Sequence, residues 1–199
     1  PDPWHGLITL EALRNGKDVY CEKPMTHFFA EGQAVYKTVA DKKRIFQVGS
    51  QQRSDAKFRH AVNVVRNGWL GKITHVEVGL PKGRTGPDRD PTLKDAPEGY
   101  DRWCGPSPIL PYMAARHHWS WRWHTHYGRG QLMDWIGHHN DIAHWGLGLD
   151  ATGGGGGPIS VEAQNWDYSK TPEIYDTAYD YDVISKYPND IEVKISSRL

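Results

Sequence analysis

The chain has 199 residues, with Lys plus Arg and Asp plus Glu equal at 24 each, so its formal net charge is zero. That length buries a substantial core in one large domain or two small ones. The balanced charge, with no basic stripe, argues against a nucleic-acid partner, and no apolar run approaches the roughly 20 residues that span a bilayer.

His5 to Asn15 reads as a helix with Leu7, Leu10 and Leu13 on or near one face, stopped by Gly16. Val19-Tyr20-Cys21 is a short strand ended by Glu22-Lys23-Pro24. Thr26 is placed to cap a second helix to about Lys43, and Ile45 to Val48 reads as another buried strand. Helix and strand alternating over short links is the pattern of parallel α/β structure. Lys57 to Asn67 is predicted helical, Gly68 ends it, and Ile73 to Leu80 follows as a strand. Residues 81–130 are rich in Pro, Gly and aromatic residues and show no clear period; long irregular segments in compact domains are usually functional loops. Gln131 to Leu147 is an amphipathic helix, and the Gly153–Gly157 run reads as a flexible turn or linker. Ile159 to Ala163, the alternating set Tyr175 to Val183, and Ile191 to Ile195 are strands, with Asn189-Asp190 in the last turn, which suggests an antiparallel sheet. The expected fold class is α/β followed by α+β: a parallel piece over residues 1–50, then an α+β domain over residues 51–199.

Three groups of residues can carry chemistry. Lys23 follows the carboxyl end of a predicted parallel strand, where open α/β sheets bind ligands; an ammonium there can hydrogen-bond a hydroxyl and stabilise a developing alkoxide. Solvent-facing Lys is the plainer reading of the tripeptide alone. Asp134, His138 and Asp141 lie at i, i+4 and i+7 of one helix and share a stripe. His is suited to proton exchange near neutrality, and a carboxylate one turn away can orient it; a polar surface helix has the same spacing. Most of the nine Trp fall between Trp103 and Trp166, where they can stack on sugar rings or simply form an aromatic core. Among them lie His117, His118, His124 and His126, with His138, His139 and His144 beyond. Their spacing lacks the shared face of a helical zinc site and no HExxH occurs, so no metal is expected. Histidines and tryptophans around a polar substrate pocket fit better, with Arg116 and Arg122 available for hydroxyls or a carboxylate. Cys21 and Cys104 have no CxxC spacing and say little about compartment.

The stretch PDPWHGLITLEALRNGKDVYCEKPMTH (1–27) resembles the segment of Gfo/Idh/MocA oxidoreductases that runs into their Glu-Lys-Pro motif. FQVGSQQRS (46–54), VVRNGWLGKITHVEV (64–78), WCGPSPILPY (103–112) and GRGQLMDWIGHHNDIAHWGLG (128–148) resemble further blocks of that family, in the same order. The resemblance covers most of residues 1–165 and thins out afterwards. It implies the carboxyl-terminal part of a dinucleotide-binding Rossmann domain, then a substrate domain whose largely antiparallel, open-faced sheet often makes oligomer contacts. It places the family's catalytic Lys on Lys23 and its Asp-x-x-x-His pair on Asp134 and His138, with His138 accepting the proton as hydride leaves the carbinol carbon for NAD or NADP. Trp4, His5, Glu22, Lys23, Pro24, Gln52 and Arg53 fall on cofactor-lining positions, and Arg116, His117, Trp121 and Asp141 are the candidate substrate contacts. The implied substrate is a sugar, a polyol or a sugar derivative, and the implied partner is a second copy of the chain.

Two departures stand out. Pro3 occupies a position where the family commonly has His. More seriously, the Gly-x-Gly-x-x-Gly turn, its helix and the acidic ribose-binding residue are absent from these 199 residues. Gly153–Gly157 follows a helix and precedes a strand, the wrong order for a phosphate cradle. Weak or no NAD(P) binding, and no activity, is therefore expected of this polypeptide by itself. Two other functions remain open: an NAD-dependent glycosidase or lyase acting by transient oxidation and elimination, or a non-catalytic carbohydrate-binding or assembly module. An in-frame glycine-rich segment upstream of Pro1 favours the enzyme, and a start codon there favours the module. Pro1-Asp2-Pro3 reads as a turn following something, so no signal peptide is visible and export stays open: cytoplasm by default, periplasm if a leader precedes.

Overall fold

In the computed structural model, which describes residues 1–149 and 156–199, the chain divides into two units. One comprises residues 1–49, 84–134 and 169–177, and the other residues 50–83, 135–168 and 178–199. The architecture is the expected α/β plus α+β. Residues 153–155 of the glycine run lie outside the described residues.

The first unit begins with α1 (Pro3–Arg14). Pro3 presets the backbone for the first helical turn, so the helix starts two residues earlier than its apolar pattern indicates. Gly16, at φ 74°, ends it, its N–H meeting the Leu13 carbonyl. β1 (Val19–Glu22) and β2 (Phe46–Gly49) pair in parallel, Val19 opposite Phe46 and Glu22 opposite Gly49. Between them runs α2 (Phe29–Lys42), which starts later than the Thr26 cap predicts. The Glu31 carboxylate accepts from the backbone N–H groups of His27 and Phe28, at 2.9 and 3.0 Å, and so serves the orphan donors of the first turn. The Thr26 hydroxyl instead donates to the Phe28 carbonyl.

The long irregular stretch is mostly coil and short 3₁₀ turns, with one short helix, α4 (Tyr100–Cys104). Its aromatics are largely core. Tyr100, Cys104 and Tyr127 form one buried cluster, and Met113, Ala115, Trp123, Ile174 and Tyr175 form another. Buried hydroxyls there find partners: Tyr100 and Tyr127 share a hydrogen bond at 3.3 Å, and the Trp123 N–H reaches Gln131 at 2.8 Å. α5 (Gly130–Leu147) starts in this unit and its later residues belong to the second.

In the second unit Asp55 caps α3 (Ala56–Arg66) by accepting from the Lys57 N–H at 2.7 Å. β3 (His75–Gly79), β4 (Ser160–Tyr168), β5 (Ala178–Lys186) and β6 (Glu192–Ser196) form one sheet in the order β3-β6-β5-β4. β4, β5 and β6 are antiparallel neighbours, whereas β3 lies parallel to β6. The sheet is therefore mixed: a parallel neighbour arrives by a long crossover rather than a hairpin, and alternation along a strand reads the same in both cases. On one face Tyr181, Val183, Val193, Ile195 and Val78 are buried. On the other, Asp180 and Asp182 are held by donors. Lys82 and the Ser197 hydroxyl reach Asp180 at 2.8 and 2.6 Å, Asn165 reaches Asp182 at 2.7 Å, and the Ser196 hydroxyl also donates to Asp182. β4 is one of the two edge strands and is exposed along its whole length.

Candidate active site

Lys23 follows the carboxyl end of β1, and its peptide bond to Pro24 is cis. The turn is tied to α1 by His5, whose Nδ1 lies 2.7 Å from the Pro24 carbonyl oxygen. A carbonyl can only accept, so Nδ1 carries the proton. The Cys21 thiol beside it, foremost, and then the Pro24 carbonyl raise the His5 imidazole pKa, against burial. Trp4 commits its indole N–H to the Arg102 carbonyl at 2.9 Å. Glu22 lies against Gly49, where a Cβ would come within 2.8 Å of its carboxyl group.

The Lys23 ammonium donates to both the main-chain oxygen and Oδ1 of Asp134, each at 2.6 Å. Both side chains are largely buried, 16 and 13 % exposed. The other oxygen of Asp134 lies 3.4 Å from Nε of Arg122. This guanidinium is sandwiched between two indoles, 3.9 Å from the Trp119 ring centre and 4.6 Å from that of Trp121, while Nη1 donates to the Trp119 carbonyl at 3.1 Å. The turn is so close that a Cβ on Gly128 would stand 2.6 Å from the Arg122 Cα, which only glycine permits. Asp2 completes the charged group. Burial, and next the Asp134 charge, push its carboxyl up to about 7 despite the opposing Lys23 and Arg122.

The other candidate substrate residues of this unit are more enclosed. Arg116 donates to the Glu173 and Pro111 carbonyls at 3.0 and 2.6 Å and is buried. His117 packs against Trp103 and His118, with ring centres 4.5 and 4.2 Å away, and its Nδ1 has no hydrogen-bond partner. Burial, with His118 and Arg89, lowers its pKa.

In the second unit Arg53 grips Asp141 with two parallel bonds, Nε to Oδ2 at 2.6 Å and Nη2 to Oδ1 at 2.8 Å, and also stacks over Trp145. Gln52 keeps a buried Oε1 without a partner. His138 is buried and meets Trp135 edge to face at 5.5 Å. His139 hydrogen-bonds the Gly79 carbonyl at 2.8 Å, and His144 bonds the Tyr187 hydroxyl at 2.5 Å. No group of three or more His, Cys, Asp or Glu side chains able to hold a metal occurs among the described residues, nor does any helix there suffice to cross a membrane.

The structure thus joins Lys23 to Asp134, and Arg53 to Asp141. The carboxylate expected to orient His138 is occupied by Lys23 and flanked by Arg122. Asp2 and Trp119 were not among the candidates. Their signals were faint: an acid inside a proline turn, and alternate indoles in Trp119-Ser120-Trp121-Arg122.

Residues 1–50 match the family model for the NAD-binding Rossmann fold of the GFO_IDH_MocA oxidoreductases. An uncharacterised oxidoreductase of Schizosaccharomyces pombe is 30 % identical over 97 residues, 49 % of this chain and 26 % of that protein. Inositol 2-dehydrogenase of Burkholderia cenocepacia is 38 % identical over 71 residues, 35 % of this chain and 21 % of the enzyme. Two solved structures share the fold at 20 % identity. Aldose-aldose oxidoreductase from Caulobacter crescentus, complexed with glycerol, gives a TM-score of 0.65 over 100 % of this chain and 49 % of that one. The WlbA dehydrogenase of Chromobacterium violaceum, in complex with NADH and UDP-GlcNAcA, gives 0.66 over 98 and 46 %. The chain spans about half the length of these solved structures and, in its aligned part, about a quarter of the curated relatives. Its first 50 residues thus match the NAD-binding Rossmann part of the Gfo/Idh/MocA oxidoreductases, and the chain as a whole shares the fold of these solved structures.

Proposed function

We propose that this chain is the catalytic and substrate-binding part of an NAD(P)-dependent oxidoreductase acting on a sugar, a polyol or a sugar derivative. The observation that carries the proposal is the Lys23 ammonium, held at the carboxyl end of β1 by two 2.6 Å bonds to Asp134. Residues 1–50 are assigned to the dinucleotide-binding domain and residues 51–199 to substrate binding and oligomer contacts. The buried, unpartnered Oε1 of Gln52 suits an amide N–H such as that of a nicotinamide, and Trp4, His5, Glu22, Lys23, Pro24 and Arg53 are assigned to the same end of the cofactor. The phosphate-gripping glycine turn is not among these residues. When bound, NAD(P) supplies the hydride acceptor.

The chain's own residues manage the proton and the developing charge. Lys23 donates a hydrogen bond to the reacting hydroxyl and stabilises its alkoxide character. Asp134 positions Lys23: with one ammonium hydrogen on the main-chain oxygen and one on Oδ1, a third is left for substrate. His138 accepts the hydroxyl proton. Arg116, His117, Trp121 and Asp141 are assigned to the substrate's remaining hydroxyls, directly or by shaping the walls. The test is NADH formation by the full-length protein on a panel of sugars and inositols. Stoichiometric NADH that disappears in Lys23→Met supports the dehydrogenase. Bond cleavage without NADH accumulation replaces it with the oxidation–elimination glycosidase.

A further inference from the structure

The two arginines near the aromatic cluster differ in kind. Arg116 is buried and spends both Nη groups on main-chain carbonyls, so it can serve a substrate only by shaping the walls. Arg122 is clamped instead. The rings of Trp119 and Trp121 lie against its guanidinium, and the close turn at Gly128 holds its main chain, yet only Nη1 finds a hydrogen-bond acceptor, the Trp119 carbonyl. Nε is paired by charge with Asp134 at 3.4 Å but makes no hydrogen bond, and Nη2 has no acceptor among the described residues. A guanidinium carries five donors in a rigid fork that matches a carboxylate bidentately. Here the fork is held still with most of its donors unused, so little conformational entropy opposes a ligand.

Charge and surface point the same way. Lys23 and Arg122 place two cations beside the single carboxylate of Asp134. The fourth group, Asp2, keeps its proton up to about pH 7 because it is buried. The local surplus is positive, and an incoming anion balances it. Trp119, with one face on the guanidinium, is 57 % exposed, which leaves an indole surface for the C–H face of a sugar ring. Because Lys23 and Arg122 flank opposite oxygens of the same Asp134 carboxylate, a ligand anchored on Arg122 brings its neighbouring carbinols to Lys23.

We propose that Arg122, clamped between Trp119 and Trp121, binds the carboxylate of an acidic sugar, so that the substrate is of the uronate type rather than a neutral polyol. This rests on the oxidoreductase reading above and narrows it. The test is calorimetric titration of the full-length protein, with NAD+ present, by D-glucuronate, D-glucose and D-glucose 6-phosphate. D-glucuronate is expected to bind at least about tenfold more tightly than D-glucose, the scale of one charged hydrogen bond. Arg122→Gln erases that difference and Arg122→Lys retains part of it, while far-UV circular dichroism and melting check that both variants fold. The comparison of ligands on the unmodified protein needs no variant. Equal or tighter binding of D-glucose overturns the acidic-sugar assignment and leaves the oxidoreductase reading intact. Preference for D-glucose 6-phosphate overturns the carboxylate in favour of a phosphate. Failure of all three to bind overturns the acidic-sugar assignment, while the oxidoreductase reading stands or falls on the NADH assay with the wider panel of sugars and inositols.

Discussion

Replacing Lys23 with Met separates the stability of the buried ion pair from its role in turnover. Lys23 and Asp134 are 16 and 13 % exposed and 2.6 Å apart, so removing the ammonium strands a carboxylate in a poorly solvated site. Breaking a buried pair in this way costs about 3–5 kcal/mol. Arg122, 3.4 Å from the other carboxylate oxygen, compensates in part, which brings the expected loss to roughly 2–3 kcal/mol. For a chain of this size each kcal/mol moves the melting temperature by about 2–4 °C, so Lys23→Met should melt about 4–12 °C lower. The double variant Lys23→Met/Asp134→Leu removes both charges and should recover most of that loss, since replacing a buried pair with apolar groups is often neutral. Turnover should behave differently. Losing a donor aimed at a developing alkoxide costs about 10²–10³ in kcat, and the double variant should remain as slow as the single one. Differential scanning calorimetry and initial-rate NADH assays read the two quantities. A melting temperature unchanged within error in Lys23→Met refutes the buried-pair energetics; recovery of turnover in the double variant refutes the role of Lys23.

His138→Asn should lower kcat by about 10²–10⁴ and flatten the acid limb of the pH–rate profile, because a general base works only when deprotonated; an unchanged limb excludes His138. Stability should also vary with pH in two opposed ways. Burial holds His124 at about 4 despite Asp176, and burial with Arg129 holds His27 at about 4. Below 6.5 the unfolded chain takes up protons that these folded-state rings refuse. Their contribution is therefore complete above that pH and lost as pH falls toward 4, by something on the order of 2–3 kcal/mol each. Asp2 acts oppositely: with its carboxyl raised from 3.8 to about 7, its contribution is present at low pH and lost as pH rises through 7. Urea titrations across pH should show Asp2→Asn removing the decline that develops as pH rises to about 7 and His124→Gln reducing the one that develops as pH falls toward 4, and identical curves would contradict both. The 199-residue chain alone should bind NAD(H) weakly, and micromolar affinity by calorimetry would overturn that expectation. Because β4 is an edge strand exposed along its whole length, self-association through the carboxyl-terminal sheet is expected. A sedimenting monomer at concentrations on the order of tens of micromolar argues against it.

Elements with strong periodicity were legible in the sequence, and elements made by distant partners were not. α3 and α5 announce themselves through apolar spacing, α3 also through the Gly68 stop, and the parallel β1–β2 pair through short helix–strand links. The parallel placement of β3 beside β6 was hidden, because period-2 alternation is the same for either strand direction. The aromatic stretch shows why composition alone divides poorly between core and site. Trp123 and Tyr127 are fully packed, whereas Trp119 stands 57 % exposed, and nothing in the local text separates them. What separates them is Arg122. A guanidinium between two indoles needs neighbours at i−3 and i−1, visible in Trp119-Ser120-Trp121-Arg122, but also the Gly128 turn and a carboxylate 12 residues away in sequence.

The same long-range partnering changes how the Asp134/His138 spacing should be read. One turn of helix puts both on one stripe, which made Asp134 the natural partner for His138. The ammonium of Lys23 binds the same residue with two bonds, one at the carboxylate Oδ1 and one at the main-chain oxygen. On the function proposed above, Asp134 acts through Lys23, whose ammonium it holds beyond the strand end, and Asp134→Asn should impair turnover in the manner of Lys23→Met rather than of His138→Asn. The pH–rate profile distinguishes the two: an Asp134→Asn enzyme that is slow but keeps its acid limb supports pairing with Lys23, and one that loses the limb restores the histidine as the partner of this carboxylate.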